Sequence, residues 1–251
     1  MAPHDATQQA GRMTSRVHGH DVAWRTLGRG PLDVVLVHGI GVSGRYFANL
    51  ARELSRSARV VIPDLPGFGD SPRPPTPLSI VEHAEVVAGM AVEAGLDRPV
   101  LVGHSMGAQV VTELALRHPG AVGGVVLVGP VTDPSGRSGL RQGLRLLRDA
   151  AHEPPGAIVL QLREWLRCGP RWYAATLPGM LEYPMEERVA DLQVDVVLVR
   201  GARDPVAPAA YLARLADRAP QATSFEVPGA GHVAMFRRPE YVAAAAVGLA
   251  S

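Results

Sequence analysis

Three short stretches carry residue types that together could transfer an acyl group. GHSMG at 103–107 places Ser105 between Gly103 and Gly107. Val100, Leu101 and Val102 lead into it as a short apolar run, and Met106, Val110, Val111 and Leu114 follow near helical spacing. The serine is therefore expected at a tight turn from strand to helix. Side chains at either glycine would collide with neighbouring backbone there. The serine itself would be strained and exposed above a sheet, with the N–H of Met106 directed at the reacting centre. A serine hydroxyl is a weak nucleophile until a base takes its proton. His232, in VPGAGHVAMF, is the candidate base, because it follows a strand in a Gly-flanked loop and precedes the last helix. An imidazole in that role needs a carboxylate to fix its tautomer and stabilise the imidazolium. Asp204, in VRGARDPVAP, is preferred, although Pro205 and Pro208 would also suit a plain turn or capping aspartate. Asp133, in GPVTDP, is its competitor.

The elements that must position these residues alternate along the chain. Residues 16–28 suggest a hairpin bending at Gly19. Continuous apolar runs at 33–39, 58–67, 99–103, 122–129 and 194–201 suit strands buried on both faces, and 223–227 a further strand. Helical spacing is expected after residue 46 and over 79–94, 106–118, about 208–218 and about 234–249. Together they predict an α/β fold with a mainly parallel sheet flanked by helices. In such sheets functional loops gather at the carboxyl ends of strands. The alternation stops between about 131 and 190, where helical patterns (Leu140, Leu144, Leu147; Leu162, Trp165, Leu166) and prolines at 154, 155, 170, 178 and 184 replace strands. That segment is expected to be a helical lid inserted into one core formed by 15–130 and 191–251. Residues 1–14 are expected to be a flexible polar extension.

With 47% apolar residues in 251 the chain can bury a full core, and a net charge of +1 gives no electrostatic reason to expect nucleic acid. One cysteine, Cys168, rules out an internal disulfide and a multi-cysteine metal site. No glycine-flanked turn surrounds it, so an incidental thiol is expected rather than a nucleophile. His18 and His20 lack further ligands nearby, so no metal is expected. The N-terminus has no signal-type apolar segment and no apolar run is long enough to span a bilayer, so a soluble, cytoplasmic protein without a membrane partner is expected.

HGIG at 38–41, DLPGFGDS at 64–71, GHSMG, GARDPVAP at 201–208 and GAGHVAMF at 229–236 make the chain resemble a lid-bearing member of the α/β-hydrolase superfamily. The resemblance spans all but the N-terminal extension and is weakest in the lid. It implies the order Ser105, Asp204, His232 for the triad and an oxyanion hole from the N–H groups of Ile40 and Met106. It also implies no cofactor, and assigns His38 to bracing its loop and His104 to packing beside the turn.

A rival lies in the same residues. GIGVSG at 39–44 is also G-x-G-x-x-G, and Asp64 ends the next strand about 20 residues on, which is the dinucleotide-binding pattern. That reading, an oxidoreductase, leaves GHSMG, Asp204 and His232 unexplained. Among smaller signals, Arg137, Arg141, Arg145 and Arg148 recur at helical spacing. A solvated basic face is the plain reading, and docking of an anionic substrate or carrier protein the sharper one. Trp165, Trp172, Tyr173 and Val233 are candidate substrate contacts, the aromatics through the lid's roof over the pocket. The expected function is a serine hydrolase acting on a small or medium, largely apolar carboxylic ester or thioester through an acyl-enzyme. A carbon–carbon bond hydrolase, a cofactor-free perhydrolase, cyclase or lyase, and a non-enzymatic receptor remain alternatives on the same scaffold.

Overall fold

A computed structural model describes residues 11–134, 138–151 and 153–250, with backbone alone at Leu140 and Gln142. Residues 1–10 of the expected extension, and Arg137, lie outside the described residues. Strands β1 (Gly11–Val17) and β2 (His20–Leu27) form an antiparallel hairpin. Its two-residue turn has positive φ at both His18 (49°) and Gly19 (83°), the combination that matches the right-handed twist of the flanking strands. The extension expected over 1–14 is thus corrected at its end. Gly11 to Thr14 are paired in β1, opposite Thr26 to Ala23. Mostly polar side chains on an exposed edge gave this strand little apolar signal.

The remaining strands are β3 (Leu32–Val37), β4 (Ala58–Pro63), β5 (Val100–His104), β6 (Gly124–Val128), β7 (Val196–Gly201) and β8 (Ala222–Val227). They complete an eight-stranded sheet of order β1-β2-β4-β3-β5-β6-β7-β8, parallel from β4 to β8 and antiparallel at β1-β2 and β2-β4. Strand side chains alternate between the two faces, and both faces are apolar. Val35, Val37, Leu101 and Leu127 pack with Val87, Val110 and Leu215 of helices α2 (Ile80–Glu93), α3 (Met106–Arg117) and α8 (Ala209–Arg218). Val34, Leu36, Val102 and Val126 pack with Leu50 and Val242 of α1 (Ala48–Leu54) and α10 (Pro239–Gly248). This double burial is why the strands appear as unbroken apolar runs.

Between β6 and β7 the regular elements among the described residues are helices: α4 (Gly139–Asp149), α5 (Pro155–Cys168), α6 (Pro170–Glu182) and α7 (Met185–Val189). Ion pairs fasten them to the core. Arg145 of α4 reaches Asp133 at 3.1 Å, an aspartate itself paired with Arg214 of the core helix α8. Glu164 of α5 meets Arg45 at 3.4 Å, and Arg167 meets Asp70. Arg145 is therefore engaged with the core, so the basic spacing on α4 is not simply a solvated face. The single last helix expected over 234–249 is two: α9 (Ala234–Arg237) and α10, separated by Arg238 in a non-helical conformation (φ −136°, ψ 63°). The residue before a proline is pushed out of the helical region, and Pro239 follows. Among the described residues no helix is long and apolar enough to cross a membrane.

Candidate active site

The parallel strands deliver their loops to one end of the sheet. β3 ends into His38–Gly41, β5 into Ser105, β7 into Asp204, and the loop after β8 carries His232. Ser105 sits at φ 57°, ψ −120°, a region that costs a non-glycine residue about 1–3 kcal/mol. The glycines on either side explain how the turn closes. A Cβ on Gly103 would lie 2.3 Å from the Gly107 carbonyl oxygen, and one on Gly107 would lie 2.1 Å from that of Val37. The N–H of Met106 is the first of α3 and has no acceptor in its own helix. Neither it nor the N–H of Ile40 has a hydrogen-bond partner among the described residues.

Asp204 and His232 are paired. Asp204 Oδ2 accepts from His232 Nδ1 at 2.9 Å, while Oδ1 accepts from the N–H groups of Val206 (2.7 Å) and Ala207 (3.0 Å). The loop that could have made Asp204 a plain turn residue thus aims its second oxygen at the imidazole. Gly129, at the end of β6 with φ 52°, leaves the room: a Cβ there would stand 3.0 Å from the His232 ring. Asp133, the competitor, faces Arg145 and Arg214 instead. Burial lowers the proton affinity of His232, but the Asp204 charge and hydrogen bond, with Asp149 and Glu153 behind, overcome it and raise the group to about 9.

Ser105, His232, Gly39, Ile40 and His104 line one narrow cavity of about 40 Å³. The Ser105 hydroxyl and the imidazole share it without a direct hydrogen bond among the described residues. Such bonds are often long before substrate arrives. Leu146, Gln161, Trp165 and Tyr173 close the cavity from α4, α5 and α6, and the same four line an adjoining chamber of about 650 Å³. Apolar side chains dominate the walls of that chamber, Leu147, Ile158, Leu162 and Leu166 among them, and Asp149 also lines it.

Two of the four expected contact residues belong elsewhere. Trp172 lines neither cavity. It packs on Gly67, where a Cβ would fall 2.4 Å from its ring, and carries the Arg73 guanidinium at 5.7 Å. Val233 is buried, and its N–H is held by Glu153 at 2.9 Å. Trp165 and Tyr173 do face the site, and also cover Gly41, where a Cβ would fall 2.8 Å from the Tyr173 ring and 3.0 Å from that of Trp165.

Histidines brace the loops. The N–H of Leu65 donates to His38 Nε2 at 2.9 Å, so the proton on Nδ1 is free to reach the Gly39 carbonyl at 2.8 Å. His104 does more than pack. Gly39 N–H donates to the Tyr46 hydroxyl (3.1 Å), which lies 2.6 Å from His104 Nδ1, and His104 Nε2 meets the His232 carbonyl at 3.0 Å. Burial and the neighbouring His232 hold His104 well below the ordinary histidine range, so it is neutral and can accept from Tyr46 while donating to His232. This chain ties the loop after β3 to the loop after β8 behind Ser105. It was not legible in the sequence, because Tyr46 carries no local motif. Asp64 is also committed. Its Oδ1 accepts from Gly44 N–H and its Oδ2 from Asp70 N–H, each at 2.8 Å, and it is fully buried. The acidic residue of the dinucleotide pattern therefore shapes a loop and is not open to a ribose.

A sequence profile described as "Alpha/beta hydrolase family" matches residues 34–245. A pimeloyl-[acyl-carrier protein] methyl ester esterase of Edwardsiella ictaluri is 37% identical over 105 residues, a stretch covering 42% of this chain and 39% of that protein. The enzyme of the same name from Aeromonas hydrophila is 29% identical over 246 residues, covering 87% of this chain and 95% of that one. Among solved structures, an esterase from Thermogutta terrifontis superposes with a TM-score of 0.83 at 24% identity, over 95% of this chain and 97% of that chain.

Proposed function

The chain belongs to the alpha/beta hydrolase family, and from that premise we propose that it is a serine hydrolase of small or medium, largely apolar carboxylic esters or thioesters, working through an acyl-enzyme. One observation carries the reading. A serine held in a strained turn shares a cavity with an imidazole that is hydrogen-bonded at Nδ1 to a buried carboxylate. With Nδ1–H given to Asp204, the lone pair of Nε2 is free to take the Ser105 proton as the oxygen attacks the carbonyl. The N–H groups of Ile40 and Met106 receive the oxyanion, each worth about two to three powers of ten in rate. His232 then protonates the leaving group, and water activated by the same imidazole releases the acid.

The inserted helices α4–α7 act as the lid in this reading. The chamber beneath them supports an apolar acyl or alcohol portion, since apolar walls reward burial by about 25 cal/mol per Å² and offer few partners to charge. Relatives named as esterases of an acyl-carrier-protein methyl ester support the ester class, with the acyl group free or carrier-borne. The test is a panel of esters and thioesters of graded acyl length, competed with a fluorophosphonate, with intact mass recording the adduct. Turnover that survives Ser105→Ala would end the proposal.

A further inference from the structure

Two buried carboxyl groups, one at the end of α4 and one in the connection from α4 to α5, grip the backbone of the loop that carries His232. Asp149, the last residue of α4, accepts the His232 N–H on Oδ1 at 2.7 Å, and Glu153 Oε1 accepts the Val233 N–H at 2.9 Å. Both side chains are almost fully buried. Gly231 makes the approach possible: a Cβ there would fall 2.6 Å from an oxygen of each. Among the described residues neither carboxyl group has an arginine ion pair. A buried carboxylate without a cation is costly, and apolar side chains would have packed this joint more cheaply.

We propose that Asp149 and Glu153 are positioning residues that pin the His232 loop to the inserted helices, so that the base stands in its working place only when the end of α4 lies closed against it. The inference rests on the reading of His232 as the general base. Three carboxyl groups then surround one imidazole. Asp204 orients the ring through Nδ1, whereas Asp149 and Glu153 fix the backbone that carries it. His104, the other titratable ring in contact, is 4.6 Å away between centroids and neutral. The pair also manages its own charge. Burial and the Asp149 charge push Glu153 up to about 7, and burial raises Asp149 as well. A proton shared between them serves Glu153 Oε2, which is otherwise buried without a partner among the described residues. Whatever negative charge the pair retains favours the imidazolium that forms as Ser105 loses its proton. Lid closure and base strength are coupled through the same two side chains.

Asp149→Ala, Asp149→Asn, Glu153→Gln and Ser105→Ala test this in the full chain, with kcat, KM and the pH profile of kcat/KM measured on one short ester beside Tm. The underlying reading is judged first, on wild type and Ser105→Ala. Absence of fluorophosphonate labelling, or turnover in Ser105→Ala, defeats the esterase reading whatever the pair does. Given a serine-dependent wild type, Asp149→Ala is expected to lose about 10- to 100-fold in kcat with KM little changed. Asp149→Asn keeps an amide oxygen for the His232 N–H and recovers most of kcat. Its acid limb moves to lower pH, because one charge that favoured the imidazolium is gone, and Glu153→Gln moves the limb the same way. Limbs that coincide with wild type in both isosteric variants would overturn the proposal, even if Asp149→Ala were slow, since a merely structural joint would leave them in place. The isosteric variants decide the matter if the alanine variant does not fold.

Discussion

Replacing Asp204 by asparagine isolates the orienting carboxylate without changing its shape. Oδ1 lies between two backbone donors, Val206 N–H at 2.7 Å and Ala207 N–H at 3.0 Å. The asparagine carbonyl must take that place, because an NH₂ group there would face two N–H groups. The NH₂ group then occupies the Oδ2 position, 2.9 Å from His232 Nδ1, and can only donate. Nδ1 becomes the acceptor, so the proton moves to Nε2, the atom meant to take the Ser105 proton. The wrong tautomer in an equivalent serine–histidine–aspartate arrangement lowers kcat by about 10⁴, or about 5 kcal/mol of barrier at 1.36 kcal/mol per tenfold. Substrate contacts are untouched, so KM should stay within about threefold. The loss of one charge-assisted hydrogen bond costs about 1.5–3 kcal/mol of stability, or about 3–12 °C in Tm for a domain this size. Ester hydrolysis by the purified variant and by wild type, each followed on its own pH plateau, and the two melting curves measure both. A kcat within tenfold of wild type would refute the assigned tautomer and with it the role given to Asp204.

Four further outcomes follow from the same geometry. Because His232 is raised to about 9 and only the neutral ring can act as base, kcat/KM should climb with pH well beyond the ordinary histidine range; a plateau reached by pH 6.5 in the full profile would contradict this. Tyr46→Phe leaves Gly39 N–H and His104 Nδ1 without their shared partner, so stability should fall by about 1–3 kcal/mol in urea unfolding and kcat should drop with KM little changed. Gly107→Ala drives a methyl to 2.1 Å from the Val37 carbonyl oxygen, which should cost about 3 kcal/mol or more in the same assay. Glu153 binds its proton more tightly when folded, about 7 against 4.5, so its stabilising contribution is full below 4.5 and lost as pH rises through 7; Glu153→Gln should flatten that part of a Tm-against-pH curve.

What the sequence made legible was whatever depended on local chemistry. Apolar runs announced β3, β5, β6 and β7, because a strand covered on both faces has no room for polar side chains. Glycines at 103 and 107 marked the strained turn, since backbone sits about 2 Å from where their Cβ atoms would be. Prolines after Asp204 hinted at a turn without telling that the turn would aim a carboxylate. The residues that went unread act across the chain on backbone groups. Asp149 and Glu153 hold N–H groups some 80 positions away, and any acceptor of suitable reach leaves no spacing pattern. Tyr46 and His104 join two loops in the same silent way. Trp172 shows the converse limit: composition suggested a roof over the pocket, whereas its ring fills the space left by Gly67.

The measurement closest to the central claim is the intact mass of the protein after brief exposure to a fluorophosphonate, followed by peptide mapping, in wild type, Ser105→Ala and His232→Ala. A nucleophile activated by His232 predicts one adduct per chain, located on Ser105, absent in the serine variant and slowed by orders of magnitude in the histidine variant. An adduct at another residue, or equal labelling rates with and without the imidazole, would contradict it.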